Sequence, residues 1–310
     1  MQEKIGQVTL DYTYYPGEDL YSDGPVEEEL LELANNYREE ELNQEIARRK
    51  SWPVLYHFSH IRQNILEWLP IKKTDRILEI GAGCGAITGA LAKKGKSVTC
   101  IDLSRMRSKI NAYRNRDHEN IRILVGNFQD IEQNLTETYD YITFIGVFEY
   151  SQGYIGTKDP YVEMLRRVSG HLAPGGRLVI AIENRLGLKY WAGCTEDHLG
   201  TFFDGLEGYP KPSGVRTFSR SELQELIRRA GDFRTIFYYP YPDYKFPLRI
   251  YSDAYLPQKG ELTENFRNYD RARVQLFDEP KVYDTLAESG LFPEFSNSFL
   301  VLAEKVQEEP

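Results

Sequence analysis

The chain has 310 residues, 41% of them hydrophobic, and a formal net charge of −9. Such a chain buries a sizeable core, as one large domain with insertions or two smaller ones, and is not disordered. The acidic balance argues against nucleic acid as a partner, since a basic face that neutralises phosphate supplies most of that affinity. No apolar run approaches the roughly 20 residues of a bilayer span, and MQEKIGQVTL lacks the basic-then-apolar order of a signal peptide. Cys84, Cys100 and Cys194 stand at no metal-ligand spacing. They read as reduced thiols of a cytoplasmic protein, and no metal site is expected.

In chain order, residues 1–24 are rich in Tyr, Gly and Asp and read as an irregular arm. PVEEELLELANNYREEELNQEIARR has a proline start, an acidic first turn and a basic last turn, which predict one helix. WPVLYHFSHIRQNILEWLP predicts a second helix closed by Pro70, and the two form an N-terminal helical cap, residues 1–69 with the arm. From residue 75 the period changes. RILEI, SVTCID, IRILVGN, YDYITFIG and GGRLVIAIE predict strands, and AITGALAKKG, RMRSKINAYRNRD and YVEMLRRVSGHL predict helices between them. Strands alternating with helices imply right-handed crossovers and a parallel sheet. SRSELQELIRRAG predicts a helix capped by Ser219 or Ser221, RTIFYYPYP a strand, EPKVYDTLAESG a helix and SFLVLAEK a final strand. The expected fold is therefore α/β, a doubly wound and mostly parallel sheet.

ILEIGAGCGAITGAL carries the strongest chemical signal. A strand, Gly81, Gly83, Gly85 and then a helix bring bare backbone and a helix N-terminus against a ligand. Asp102 ends the next strand, 21 positions after Gly81, where a carboxylate accepts hydrogen bonds from ribose hydroxyls. The same glycines also fit the dinucleotide pattern G-x-G-x-x-A. Against a nicotinamide cofactor stand Glu79, whose carboxylate repels a pyrophosphate but suits a cationic amino acid, the preceding helical cap, and VGNF, whose Asn127 and Phe128 suit an adenine pocket.

With IDLS, GNF, YDYITFIGVFEY and LAPGGRL, this turn resembles the class I S-adenosylmethionine-dependent methyltransferases over residues 54–240 and the final strand. The resemblance implies a seven-stranded Rossmann-like sheet with an antiparallel last strand, in a methyltransferase domain spanning 70–310. It also implies S-adenosylmethionine as cofactor, with Glu79, Gly81, Ala82, Gly83 and Gly85 under the methionine moiety and Asp102 with Leu103 at the ribose. Asn127 and Phe128 would meet the adenine, although the family often has Asp at the first of these, and Gly146 to Glu149 would face the methyl group. A narrower likeness, carried by HFSHIRQNILEW, IENRLGLKYWAGCTEDH, FFDGLEGYP and YYPYPDYKFP, is to bacterial methyltransferases of surface-polysaccharide clusters. It implies a small-molecule or glycan acceptor and a glycosyltransferase as partner.

Residues 184–217 follow the end of a strand and are too long for an ordinary loop. In open α/β sheets ligands bind beyond the carboxyl ends of strands, so this insertion reads as a lid over the acceptor. Arg185, Tyr190 and Trp191 are its candidate acceptor contacts, with Phe202 and Phe203, unless its aromatics only pack the insertion onto the core. A second insertion, 244–296, is flanked by Asp243, a further candidate that either reaches the site or solvates a turn. His198 is the candidate general base for a hydroxyl acceptor, oriented by Asp197 or Glu196, with Glu149 the next catalytic candidate; a purely structural histidine is the alternative. His57 and His60, one turn apart, read as cap packing for want of a third ligand. Two other functions remain open: a cofactor-binding partner of a glycosyltransferase without turnover, and a methyltransferase acting on protein or nucleic acid.

Overall fold

The computed structural model describes residues 1–19, 21–264 and 273–306, and the chain divides into two compact units. The first comprises residues 1–144 and 167–177, the second 145–166 and 178–310.

All seven predicted strands form, but ten strands are present among the described residues. The first unit contains β1 (Gln2–Ile5), β2 (Val8–Tyr14), β3 (Arg76–Ile80), β4 (Ser97–Asp102), β5 (Ile121–Gly126) and β6 (Tyr139–Ile145, to Phe144), in the order β1-β2-β5-β4-β3-β6. β1 and β2 replace the irregular arm. The stretch Val8-Thr9-Leu10 buries Val8 and Leu10 completely, a period-two pattern that lays β2 parallel to β5, with Thr9 opposite Arg122. β3, β4 and β5 pair in parallel, with Ile77, Leu78, Val98, Cys100, Ile123 and Val125 at the core.

The single helix predicted over 25–49 is two, α1 (Val26–Asn36) and α2 (Leu42–Arg49). Tyr37 leaves the helix in an extended conformation. Glu39 lies in the break because it pairs with the buried guanidinium of Arg114, whose Nε donates to it at 2.7 Å, and Glu41 accepts from the Arg38 N–H at 2.7 Å ahead of α2. The second predicted helix breaks at Ser59, which turns extended and caps a short 3₁₀ turn over His60–Gln63, between α3 (Trp52–Phe58) and α4 (Asn64–Glu67). Leu30, Leu33, Val54 and Phe58 of these helices pack with Ile110 of α6 (Arg105–Arg114). α5 (Thr88–Lys94) and α7 (Phe128–Glu132) complete the main helices of this unit.

In the second unit, β7 (Leu172–Glu183, from Leu178), β8 (Phe233–Tyr241), β9 (Arg249–Ser252) and β10 (Ser298–Lys305) take the order β7-β10-β8-β9. The final strand is antiparallel, pairing Leu300 with Tyr238. α8 (Ser151–Tyr154) and α9 (Pro160–Gly170) precede β7, and α10 (Leu188–Trp191) is the helix of the 184–217 segment. α11 (Arg220–Ala230) starts on a capping box that selects Ser219 over Ser221. The 244–296 insertion holds β9, α12 (Glu279–Glu288) and α13 (Phe292–Phe295); its residues 265–272 lie outside the described residues. Tyr239 of β8 meets Phe292 and Phe299 edge-on, and Tyr283 of α12 packs tilted on Phe292.

Candidate active site

Two clusters carry the chemistry, one in each unit. In the first, the β3–α5 turn is built on left-handed glycines: φ is 70° at Gly81, 50° at Gly83 and 75° at Gly85. A Cβ at Gly83 would meet no atom within 4 Å, so this part of the turn borders open space. One at Gly85 would stand 2.5 Å from Asn111 Oδ1, so that glycine permits close approach to α6. Asp102 is in register as the spacing predicts. Its Oδ2 accepts from the Gly83 N–H at 2.7 Å and its Oδ1 from the Ser104 N–H at 2.9 Å. Burial raises the Asp102 carboxyl and these two backbone donors oppose it.

Glu79 is 2% exposed, accepting from Thr88 Oγ1 at 2.7 Å and from the Cys100 thiol at 3.4 Å. Burial pushes its carboxyl up to about 7 against those two donors, and the Asp102 charge adds to the rise. Ala82 is buried and Leu103 partly so. Asn127 caps α7, accepting from the Gln129 N–H at 3.1 Å, and Phe128 is buried behind it. Sequence reasoning missed Asp19. This arm residue accepts from Ser104 Oγ at 2.8 Å and from the Arg105 N–H at 2.6 Å, so it caps α6 one turn beyond Asp102. Its signal was one acid among several in a stretch read as irregular.

In the second unit Gly146 has φ 68°, and a Cβ there would strike the Tyr244 hydroxyl at 2.6 Å. Glu149, in the 3₁₀ turn Phe148–Tyr150, Glu183, the last residue of β7, and His198 converge. His198 Nε2 lies 3.4 Å from Glu183 Oε2 and 3.8 Å from Glu149 Oε1, and Nδ1 is 2.9 Å from the Tyr150 hydroxyl. Both carboxylates are fully buried, and neither oxygen of Glu149 has a hydrogen-bond partner. Lys245 Nζ stands 2.5 Å from Glu183 Oε1 and 2.9 Å from Asp197 Oδ1.

Burial pushes the Glu149 carboxyl up to about 8, assisted by the charge of Glu183. Burial acts the same way on Glu183, but Lys245 and then His198 outweigh it and hold that carboxyl below the usual range. For His198 burial lowers the imidazole, yet the two carboxylates win and push it up to about 9.

Asp197 does not orient His198. It is drawn to cations instead, with Lys189 Nζ at 2.7 Å and Lys245 on its other oxygen, and it accepts from the Tyr190 hydroxyl at 2.5 Å. Glu196 holds the histidine by its backbone, accepting from the His198 and Leu199 N–H groups, each at 2.7 Å. Tyr190 is buried with its hydroxyl on Asp197, whereas Trp191, Phe202 and Phe203 are exposed. Arg185 pairs with Glu222 at 2.8 Å, and Asp243 accepts from the Lys245 N–H at 2.7 Å, closing a turn. The 184–217 segment is pinned at its base, where Asn184 bridges Phe218 and donates through Nδ2 to the Ser296 carbonyl at 2.8 Å. Glu183 was missed because it reads as the end of a buried strand. His57 and His60 contact Asp23 and Asn43 and do not form a joint metal face.

Residues 78–178 match a family described as a methyltransferase domain. The chain carries a class I S-adenosylmethionine-dependent methyltransferase domain. Its cofactor is S-adenosylmethionine, and the open space beside Gly83 with Asp102 in register fits that molecule. The methyltransferase domain is 35% identical over 98 residues to ribosomal RNA small subunit methyltransferase A of Borreliella burgdorferi, a match covering 31% of this chain and 35% of that protein. It is 26% identical over 148 residues to ubiquinone biosynthesis O-methyltransferase of Rickettsia typhi, covering 45% of this chain and 56% of that one. The matched stretches thus span about a third to a half of these relatives. A solved chain from the Haloferax volcanii complex between the Trm112 methyltransferase activator and a methyltransferase superposes with a TM-score of 0.50 at 19% identity, covering 88% of this chain and 99% of that chain. That likeness is one of fold. Among the described residues no helix is long and apolar enough to cross a membrane.

Proposed function

We propose that the protein transfers the methyl of S-adenosylmethionine to a hydroxyl of a small-molecule or glycan acceptor, in cell-surface polysaccharide biosynthesis. When bound, S-adenosylmethionine supplies a methyl on a sulfonium, and transfer forms an O–C bond as the C–S bond breaks, its electron pair returning to sulfur. Gly81–Gly85 and Asp102 hold the cofactor, with Asn127 and Phe128 toward its adenine. The acceptor proton leaves to the Glu149–His198 pair in its deprotonated form, whose share grows as pH rises toward 8–9. Tyr150 fixes the His198 ring, and the Lys245 and Lys189 network around Asp197 keeps the neighbouring charges in place. Residues 184–217 cover the acceptor, with Trp191, Phe202 and Phe203 offering flat apolar faces of the kind that stack on sugars.

The observation that carries this reading is the buried Glu149 carboxylate, which has no hydrogen-bond partner and sits 3.8 Å from His198 Nε2. The glycan and the polysaccharide setting rest on the resemblance of the 182–198 and 202–210 stretches, and the O-methyltransferase relative supports the hydroxyl. A glycosyltransferase is the partner expected in that setting. In turnover assays on candidate glycans, His198→Ala should lose about 10²–10⁴-fold in rate while calorimetry finds its cofactor affinity unchanged. A variant with full turnover makes His198 structural, and one that also loses cofactor binding assigns the cluster to the cofactor pocket.

A further inference from the structure

The Glu149, Glu183 and His198 ligand atoms all lie within 4.8 Å of one another. Atoms bound about 2.1 Å from a tetrahedral ion stand about 3.4 Å apart, and the two His198 Nε2 contacts measure 3.4 and 3.8 Å. They come from three separate places in the chain: a 3₁₀ turn, a strand end and the 184–217 segment.

Three further observations point to a bound cation. Glu149 is 0% exposed with both oxygens lacking hydrogen-bond partners, a costly state for a carboxylate that has no other counter-charge. The Tyr150 hydroxyl sits on Nδ1, which leaves Nε2 facing two carboxylates, a place for a cation, either a proton or a metal ion. An outer partner on the non-ligating nitrogen is also how metal-binding histidines are held. Finally, the ion-paired network joins four acids, Glu149, Glu183, Asp197 and Asp243, to two ammonium groups, Lys189 and Lys245, and to His198.

We propose that Glu149, Glu183 and Nε2 of His198 form a binding site for one divalent transition-metal ion. An imidazole beside two carboxylates favours zinc or manganese over magnesium. Three protein ligands leave a position open for an oxygen ligand, such as an acceptor hydroxyl whose proton the ion makes easier to remove. The inference goes beyond methyl transfer: with the ion bound, Glu149 and His198 act as its ligands in place of taking the acceptor proton, and binding of the ion is read without turnover.

The test uses the whole protein, stripped with chelator and titrated with Mn²⁺ and Zn²⁺ by calorimetry. One equivalent should bind, and pulsed electron paramagnetic resonance of the Mn²⁺ form should show nitrogen coupling from a single imidazole. Glu149→Gln and His198→Ala should each weaken binding by more than the roughly 10–100-fold that loss of a ligand's outer partner costs, whereas His60→Ala should bind as the wild type does. The wild-type spectrum decides the matter even if a variant folds poorly. No stoichiometric binding, no nitrogen coupling, or equal weakening by His60→Ala would overturn the site. So would nitrogen NMR showing His198 protonated on both nitrogens and indifferent to added metal, which would make a proton the cation.

Discussion

Glu79→Gln isolates one buried carboxyl in the glycine-turn unit. Its side chain is fixed by Thr88 and Cys100, and its carboxyl rises from 4.5 to about 7 because burial outweighs those donors. A carboxyl raised on folding leaves the native state holding more protons than the unfolded chain between the two values. Stability from this group is therefore fully present below about 4.5 and is lost as pH climbs through about 7. At about 1.4 kcal/mol per unit, the whole shift amounts to about 3 kcal/mol. The glutamine keeps the shape and an oxygen for the Thr88 hydroxyl but cannot ionise. Denaturant midpoints of both proteins, measured from pH 5 to pH 8, should show the variant gaining on the wild type by about 2.5 kcal/mol across the series. Taking the difference cancels every other titrating group. A gap constant to within about 0.5 kcal/mol over that range, or one that narrows with rising pH, would refute the argument.

Asp102→Ala should cost about 1.5–3 kcal/mol of S-adenosylmethionine affinity by calorimetry, since it removes a charged acceptor and frees the Gly83 N–H. Gly85→Ala forces an L residue to φ 75° with its Cβ against the Asn111 and Asn115 side chains, so denaturant unfolding should show a loss of about 2 kcal/mol or more together with weaker cofactor binding. Arg114→Ala strips Glu39 of its charge partner, leaving it only the Gln63 amide, and leaves the His57 carbonyl, now bonded at 2.6 Å, without that donor; the denaturant midpoint should fall by the equivalent of about 3 kcal/mol.

The strands that carry the cofactor turn were legible because each is a short apolar run between turn residues, and because Gly81–Gly85 and Asp102 interact along neighbouring strands at a fixed spacing. The arm was misread by composition: its tyrosines and acids hid the Val8–Leu10 alternation that β5 completes. The 25–49 helix was misplaced for a tertiary reason, since helical propensity runs through Glu39 and only the distant Arg114 pulls it out. At the second cluster His198 stood out as a residue type, but its true neighbours are set by three distant positions in the chain. Asp197, next to it in sequence, faces the lysines instead.

The parallel pairing of β2 with β5 has a consequence for how this protein is made. Thr9 meets Arg122, roughly 110 residues further on, so β2 leaves the ribosome long before its partner strand exists. Until β5 arrives, Val8 and Leu10 have nothing to cover them, and contacts this distant in sequence are slow to close. The hairpin with β1 gives the waiting segment a local partner, Glu3 facing Leu10 and Lys4 facing Thr9, and puts charged side chains along its outer edge. Asp19 can cap α6 only after that helix has also emerged, so the arm and the turn bearing Asp102 are finished at the same late stage of synthesis. Nascent chains halted before residue 121 should therefore be readily cleaved within residues 1–24, and chains carried past 126 should resist.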